Sequence, residues 1–139
     1  MNLGKEAEDH WTRALEAWEA ATEITKAYGS IANRCYYAAF HAVSALFVLE
    51  GRSFRTHAGV HHAVNHDLVK AGKWSADLGT DYNFLLKARR KGDYGGGLFV
   101  NQDEANRARE AARRILQAVH DTRLDIFPLD AWAEGDKSR

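Results

Sequence analysis

The sequence predicts an all-α protein, an antiparallel bundle of four or five helices. The chain of 139 residues contains a single proline, Pro128, and is rich in alanine, a composition that favours helix over the turn-rich sequence of a sheet domain. Apolar residues also recur three and four positions apart through most of the chain. With 45% hydrophobic and 27% charged residues, the composition excludes a disordered chain and favours one domain with its own core.

The first helix is predicted over residues 5–27. Trp11 and Trp18 recur at helical spacing with alanines beside them, while Glu and Lys cover the opposite face. Gly29 is expected to end this helix, because glycine tolerates the left-handed conformation common at helix C-termini. Ser30 is then expected to be the N-cap of the second helix.

The second helix is predicted over residues 31–49, with Gly51 as its end. It is apolar almost all round, which is typical of a central, buried helix. One polar stripe interrupts this surface, and it is either a face turned to solvent or a hydrogen-bonded network in the core. The polar stripe consists of Arg34, Tyr37, His41 and Ser44, which follow one another at helical spacing.

Residues 57–70 are expected to form a third helix that ends near Gly72, and residues 78–91 a fourth. The fourth helix has a stripe that begins apolar and ends in an arginine. An arginine on a buried stripe needs a partner, and the candidates are Asp93, a residue of the polar stripe, or a bound ligand. The stripe consists of Leu78, Tyr82, Leu85 and Arg89.

A glycine-rich turn is predicted at residues 92–97, followed by a fifth helix. Asn101 is expected to cap this helix, with Glu104 three residues later completing a capping box. The remaining residues, 123–139, form a polar tail in this interpretation. The tail contains two aromatic side chains, Phe127 and Trp132.

The charge and cysteine content narrow the functional classes. Lys plus Arg and Asp plus Glu each number 19, so the formal net charge is zero and bulk charge gives no argument for nucleic acid or membrane binding. Cys35 is alone, which excludes an intrachain disulfide and fits a reducing compartment. The first residues lack the apolar stretch of a secretory signal, and no segment is long and apolar enough to span a membrane. We therefore expect a cytoplasmic protein.

Histidines in the third helix have the spacing of metal ligands. His57 and His61 are four residues apart, as are His62 and His66, and such pairs share a helix face. No third ligand with a firm spacing stands nearby, and the glutamate of an HExxH motif is absent. Histidines of the surface and loops are the favoured interpretation, and no metal is expected.

The segment KARRKGDYGGG, residues 87–97, is the most informative one. Guanidinium groups suit phosphate because their donors form a planar fork, and a tyrosine ring can stack on a base. The alternative is a basic last turn that compensates the helix dipole before a glycine stop. Arg89 weighs against that alternative, because it continues the buried stripe of the fourth helix.

Three stretches together resemble a known family. The run NRCYYAAFHAVSALFVLEGRSFRTHAGVHHAV, then LVKAG and then ARRKGDYG, resemble the HEPN domain family of prokaryotes, and most nearly its small stand-alone proteins that are often encoded beside a minimal nucleotidyltransferase. The resemblance extends from residue 5 to about residue 122. It implies a helical bundle over residues 1–122, usually a homodimer, with a role in toxin–antitoxin or defence systems and no cofactor.

The resemblance also implies an activity and the residues for it. Many members are similar to metal-independent ribonucleases whose arginine is followed four to six residues later by a histidine at a dimer cleft. Arg89 matches that arginine, whereas Tyr94 stands where the histidine is expected. For ribonuclease activity a histidine from elsewhere must serve as the base, first His41 and then His57, with arginines holding the phosphate.

Two further interpretations stay open. In related toxin systems the partner nucleotidyltransferase adds AMP to a tyrosine of this motif, which makes Tyr94 a candidate acceptor. In the other, the protein is a non-catalytic nucleotide- or partner-binding helical module. The candidate residues are Arg89, Asp93, Tyr94 and His41 for catalysis, and Arg34, Tyr37, Arg90 and Lys91 for RNA or phosphate binding.

Overall fold

The computed structural model describes residues 2–94, except the side chain of Tyr94, and residues 99–129. Within these ranges the chain is helical and contains no strand, which confirms the predicted all-α bundle. None of the described helices is long and apolar enough to cross a membrane. The helices are α1 (Leu3–Glu23), α2 (Tyr28–Leu49), α3 (His57–Ala63), a π-helical segment (Val64–Lys70) that continues α3, α4 (Ala76–Tyr94) and α5 (Gln102–Thr122).

The second helix, α2, is the centre of the bundle, as its apolar sequence predicts. Helices α1, α4 and α5 all pack against it, whereas α1 and α4 hardly touch each other. The face of α2 between them therefore stays open, and it carries the polar stripe, whose Arg34 is exposed while Ser44 at the other end is 8% exposed. Small side chains let the neighbouring helices approach closely, and those with no exposed surface include Ala32, Ala38, Ala39, Ala42 and Ala45.

The predicted junction between the first two helices is wrong. α1 ends at Glu23 and α2 already begins at Tyr28, so Gly29 does not end α1 and Ser30 is not an N-cap. Instead, the residue before α2 is Ala27, whose side chain makes no capping hydrogen bond. Local turn chemistry did not decide this boundary.

A tertiary contact explains why α1 ends early. The Arg109 guanidinium of α5 donates to the carbonyl oxygen of Ala21 from Nε at 3.1 Å and from Nη2 at 2.9 Å, and Nη2 also reaches the carbonyl oxygen of Ile24. Carbonyl groups at a helix C-terminus have no partner within the helix. Because Arg109 supplies that partner, the chain can leave α1 at this point.

The fourth helix is longer than predicted. α4 extends to Tyr94, so Gly92 and Asp93 are helical and not part of a turn. Gly92 packs against the backbone of Gly29 in α2. Residues 95–97 of the predicted glycine-rich turn lie outside the described residues.

Several predicted helix ends are confirmed. The Glu104 backbone N–H donates to the Asn101 side chain at 2.8 Å, and the Asn101 backbone N–H donates to the Glu104 carboxylate at 3.1 Å, which completes the predicted capping box. Gly51 follows the end of α2 with φ +78°, and Gly72 follows the π-helical segment with φ +81°. Both glycines adopt the left-handed conformation that side chains disfavour.

The segment after α5 returns to the core. Phe127, which the sequence places in a polar tail, has no exposed surface and packs on Trp11 with ring centroids 5.3 Å apart. The Trp11 indole N–H donates to the carbonyl oxygen of Pro128 at 2.7 Å. Through these two contacts, the segment that follows α5 packs against α1. Trp132 lies outside the described residues.

Candidate functional site

Arg89 turns inward at the C-terminal end of α4, as its place on the stripe predicts. Its guanidinium carbon lies 5.2 Å from the centroid of the Tyr36 ring and 5.4 Å from that of the Tyr37 ring. Nη2 donates to the Tyr37 hydroxyl at 3.4 Å, and 24% of the side chain is exposed. Cation–π contacts fix the plane of a guanidinium without neutralising it. Arg89 therefore keeps its positive charge in a fixed orientation, with part of its side chain exposed.

Asp93 lies one turn beyond Arg89 and forms an ion pair with it. Arg89 Nε is 3.2 Å from Asp93 Oδ2, and the Asn33 side-chain amide donates to Asp93 Oδ1 at 3.2 Å. Arg89 thus has two of the partners that the sequence predicts, a carboxylate on its own helix and a residue of the polar stripe. The Asp93 side chain is 33% exposed, so solvent weakens this pair.

His57 joins the same two tyrosine rings. Its Nδ1 is 2.7 Å from the Tyr36 hydroxyl, and its ring stacks on Phe40 with centroids 4.4 Å apart. The ring also lies edge-on to Tyr37 at 5.9 Å. Burial, followed by the positive charge of Arg89, lowers the pKa of His57, which favours a neutral imidazole at pH 7.

His41 also lies beside Tyr37, with ring centroids 6.2 Å apart, and pairs with His10, a histidine that the polar stripe does not include. His41 Nδ1 is 3.2 Å from His10 Nδ1 of α1, a distance at which one nitrogen donates to the other. Burial, followed by the charges of His10 and Arg13, lowers the pKa of His41 to about 4. His41 is therefore neutral at pH 7 and able to accept a proton. His10 could have been found only by knowing that α1 crosses α2 here.

Two hollows follow the open face of α2 and share Arg34. We call them together the α2 groove. One has a volume of about 460 Å³ and the other about 330 Å³. Arg34 is exposed between them and forms no hydrogen bond or ion pair with any residue that the structure describes. The larger hollow is lined by Ile24, Ala27, Gly29, Ser30, Asn33, Arg34, Gly92 and Asp93, and the smaller by Arg13, Glu16, Ala17, Arg34, Tyr37 and His41.

The other predicted site residues have different surroundings. Arg90 is exposed on α4. Lys91 forms an ion pair with Glu104 at 3.0 Å, so a neighbouring carboxylate compensates its charge. Tyr94 is the last residue of α4, and its side chain lies outside the described part of the chain.

The histidines of the two predicted pairs contact different neighbours and do not come together in one cluster. His61 bonds to the Asn83 side chain at 2.7 Å, while the rings of His62 and His66 stack at 5.4 Å. His66 also lies 2.7 Å from an oxygen of Asp67. Over residues 2–94 and 99–129, no group of three or more His, Cys, Asp or Glu side chains is arranged to hold a metal ion.

The site combines the fixed cation of Arg89, the exposed cation of Arg34 and two imidazoles with lowered pKa, His41 and His57, along the α2 groove. Arg89 and Arg34 supply donors for a phosphate. Tyr37 contacts Arg89 and lines the groove with His41, and an aromatic side chain in a groove can contact a base. This arrangement fits a phosphate-bearing ligand with planar rings.

Comparison with known proteins gives two matches. The family model described as HEPN domain matches residues 7–122. A protein of Thermotoga maritima named UPF0332 protein is 41% identical to this chain over 122 residues, which is 86% of this chain and 92% of that protein.

Proposed function

The chain belongs to the HEPN domain family, and from this premise we propose that it is a toxin-type protein that binds RNA in the α2 groove and cleaves it without a metal ion. The observation that supports this most directly is the setting of Arg89. Its guanidinium is half-enclosed by two tyrosine rings and lies close enough to His57 to lower the pKa of that imidazole. A cation with a fixed direction beside uncharged imidazoles is suited to a phosphodiester.

The proposed reaction is attack by the RNA 2′-hydroxyl on the adjacent phosphorus. His41 takes the hydroxyl proton as general base, the 2′-oxygen bonds to phosphorus, and the bond to the 5′-oxygen breaks. The proton then passes from the imidazolium to the leaving 5′-oxygen, so that a 2′,3′-cyclic phosphate and a 5′-hydroxyl are formed. Arg89 and Arg34 stabilise the charge that develops on the phosphate oxygens.

Assembly and partners belong to the same proposal. The polar stripe of α2 is the open face of the bundle between α1 and α4, and a second copy seated there as a homodimer would close the groove into a cleft. A cytoplasmic toxin of this kind also needs a neutralising partner, and we propose a minimal nucleotidyltransferase for that role. Light scattering at micromolar concentration should therefore give the mass of two chains.

The test of RNA cleavage compares two arginines one position apart. Labelled single-stranded RNA is incubated with the protein in EDTA, and wild type is compared with Arg89→Ala and Arg90→Ala. Both variants lose one positive charge, but only Arg89 lies over the tyrosine rings. We expect Arg89→Ala to lose about 100-fold in cleavage rate and Arg90→Ala to stay within a few-fold of wild type.

Two outcomes contradict the catalytic assignment. Equal losses in both variants would mean that the arginines act through charge alone. RNA that wild type binds but does not cleave would leave the non-catalytic binding module as the function of this groove.

A second role is proposed for Tyr94, supported by its place in the fold. It is the last residue of α4, directly after Asp93 and five residues beyond Arg89, so its backbone adjoins the site. We propose that the partner nucleotidyltransferase transfers AMP from ATP to the Tyr94 hydroxyl and releases pyrophosphate. The added negative charge would then repel RNA from the arginines.

Mass spectrometry tests this second role. After incubation with the nucleotidyltransferase encoded next to this protein and ATP, the wild-type mass should rise by one or more AMP units. Tyr94→Phe should show no gain, whereas Tyr28→Phe, which changes a tyrosine at the start of α2, should gain as wild type does. An unmodified wild type, or a gain that persists in Tyr94→Phe, contradicts the proposal.

A further inference from the structure

A line of three ring side chains leads from the core to the site. Tyr82 of α4 and Tyr36 of α2 have no exposed surface, and their ring centroids are 6.1 Å apart. The Tyr36 hydroxyl is 2.7 Å from His57 Nδ1. His57 is partly exposed, so this line connects a sealed interior to the Arg89 region.

Tyr82, at the buried end of this line, has few hydrogen-bond acceptors for its hydroxyl proton. The Tyr82 hydroxyl has no well-aligned hydrogen bond among the described residues. Burial, followed by the neighbouring Tyr36, raises the pKa of Tyr82 well above the usual range, so this hydroxyl keeps its proton. The Tyr82 hydroxyl therefore offers Tyr36 no hydrogen bond among the described residues, and the acceptor that Tyr36 has in reach is His57.

The Tyr36 hydroxyl is buried and has a proton to place, and its partner at hydrogen-bond distance is His57 Nδ1. A buried donor without an acceptor is costly, so Tyr36 donates to His57. An Nδ1 that accepts carries no proton, so the neutral ring holds its proton on Nε2. The opposite arrangement, with Nδ1–H donating to Tyr36, would leave the buried Tyr36 proton without an acceptor among the described residues.

We propose that Tyr36 is a positioning residue that holds His57 in the Nε2–H form, so that His57 presents a hydrogen-bond donor beside Arg89 to an anionic phosphate oxygen. The ligand in this statement rests on the proposed function, whereas the tautomer does not. His57 then stabilises the phosphate, and the role of base remains with His41. The ring is kept in place from the other side by its stack on Phe40.

The same geometry opposes protonation of His57. An imidazolium donates from both nitrogens, so Nδ1–H would take its acceptor away from the buried Tyr36 proton. The charged or titratable groups that face His57 are Arg89 from α4 and Tyr36, Tyr37 and His41 from α2. Arg89 acts against protonation in the same direction.

The test reads the tautomer directly. Long-range ¹H–¹⁵N correlation spectra of ¹⁵N-labelled protein distinguish a protonated from an unprotonated ring nitrogen, and a pH titration gives the pKa of His57. In wild type we expect Nε2–H and a pKa below the ordinary value of about 6.5. In Tyr36→Phe, we expect the pKa to rise by half a unit or more and the Nδ1–H form to appear, because the contact with Nδ1 is lost.

Tyr82→Phe is the matched control. It removes an equally buried hydroxyl, but Tyr36 then becomes the end of the line and must still donate to His57. The tautomer and the pKa of His57 should therefore stay as in wild type. An Nδ1–H tautomer in wild type, or a Tyr36→Phe variant that titrates as wild type does, would overturn the proposal.

A second measurement tests the ligand. Short single-stranded RNA is titrated into wild type and Arg89→Ala while the His57 Nε2–H resonance is followed. A shift that saturates in wild type and is at least tenfold weaker in affinity in Arg89→Ala supports a shared phosphate. If the tautomer is as expected but RNA leaves this resonance unmoved, the donor role of His57 fails while the RNA cleavage test stands on its own result.

Discussion

Gly92 of α4 and Gly29 of α2 are packed backbone against backbone. A Cβ atom on Gly92 would lie 3.1 Å from the carbonyl oxygen of Gly29 and 3.2 Å from its Cα. Both glycines line the larger hollow of the α2 groove. The contact therefore sets how closely the end of α4, with Arg89 and Asp93, approaches the start of α2.

Substituting Gly92 should destabilise the protein, against the expectation from helix propensity. Alanine in place of a helical glycine ordinarily stabilises by about 1 kcal/mol. Here the added methyl group meets backbone atoms that must move by a few tenths of an ångström. We expect Gly92→Ala to lower the free energy of unfolding by about 1 kcal/mol or more, measured by urea denaturation.

Gly4→Ala is the control for this effect. Gly4 is also helical, and its nearest neighbour for a Cβ is the Asn2 side chain at an ordinary 3.5 Å. This variant should be neutral or slightly stabilised. If Gly92→Ala gained stability as well, the close contact of the two helices would not constrain α4.

Much of the fold follows from periodicity, whereas two helix junctions do not. The apolar sequence of α2 predicts a central helix. The Asn101–Glu104 capping box can also be predicted, because it is a local motif of four residues. The early end of α1 depends on Arg109, which is 85 residues away from Ile24. Gly92 likewise reads as a turn residue until the backbone that packs on it is known. Contacts between distant residues overrule local turn signals in both cases.

In the candidate site, too, helical spacing predicts some of the features, while others depend on how the helices pack. The inward turn of Arg89 is predicted by its stripe, because helical spacing alone decides which face a residue shares. The contact between His10 and His41 depends on where α1 crosses α2, which periodicity does not give. For Lys91, the sequence shows a basic run, but its ion pair with Glu104 joins the end of α4 to the first turn of α5, and this contact between two helices is not visible in the sequence.

Removing the carboxylate of Asp93 should strengthen phosphate binding. Asp93 already places an anionic oxygen 3.2 Å from Arg89 Nε, so a phosphate must compete with it or share the guanidinium. Asp93→Asn keeps an oxygen acceptor but removes the negative charge. We expect RNA affinity, measured by fluorescence anisotropy at fixed salt, to increase about three- to tenfold.

The cleavage rate of the same variant gives a second result. If Asp93 orients Arg89 during the reaction, Asp93→Asn should bind RNA more tightly and yet cleave it more slowly. Asp103→Asn provides the control, since it removes a carboxylate from the first turn of α5 and should leave RNA affinity near that of wild type. Tighter binding by both variants would point to overall charge and away from the Arg89–Asp93 pair.

The histidine pair should make stability depend on pH in a defined window. The pKa of His41 in the folded protein is about 4, below the value of about 6.5 expected in the unfolded chain. Between these values the unfolded state binds more protons, so the free energy of unfolding must fall as pH decreases from 6.5 towards 4. For this partly exposed group we expect a loss on the order of 1 kcal/mol between pH 7 and pH 5.

His41→Gln separates this contribution from the others. Burial also lowers the pKa of His10 and His57, so the variant should keep part of the pH dependence and lose the share of His41. Carboxylates with lowered pKa, such as those of Asp67 and Glu104, act mainly below pH 5, which is why urea denaturation at pH 7, 6 and 5 isolates the histidines. A His41→Gln variant that loses as much stability as wild type over this range would mean that folding does not lower the pKa of His41.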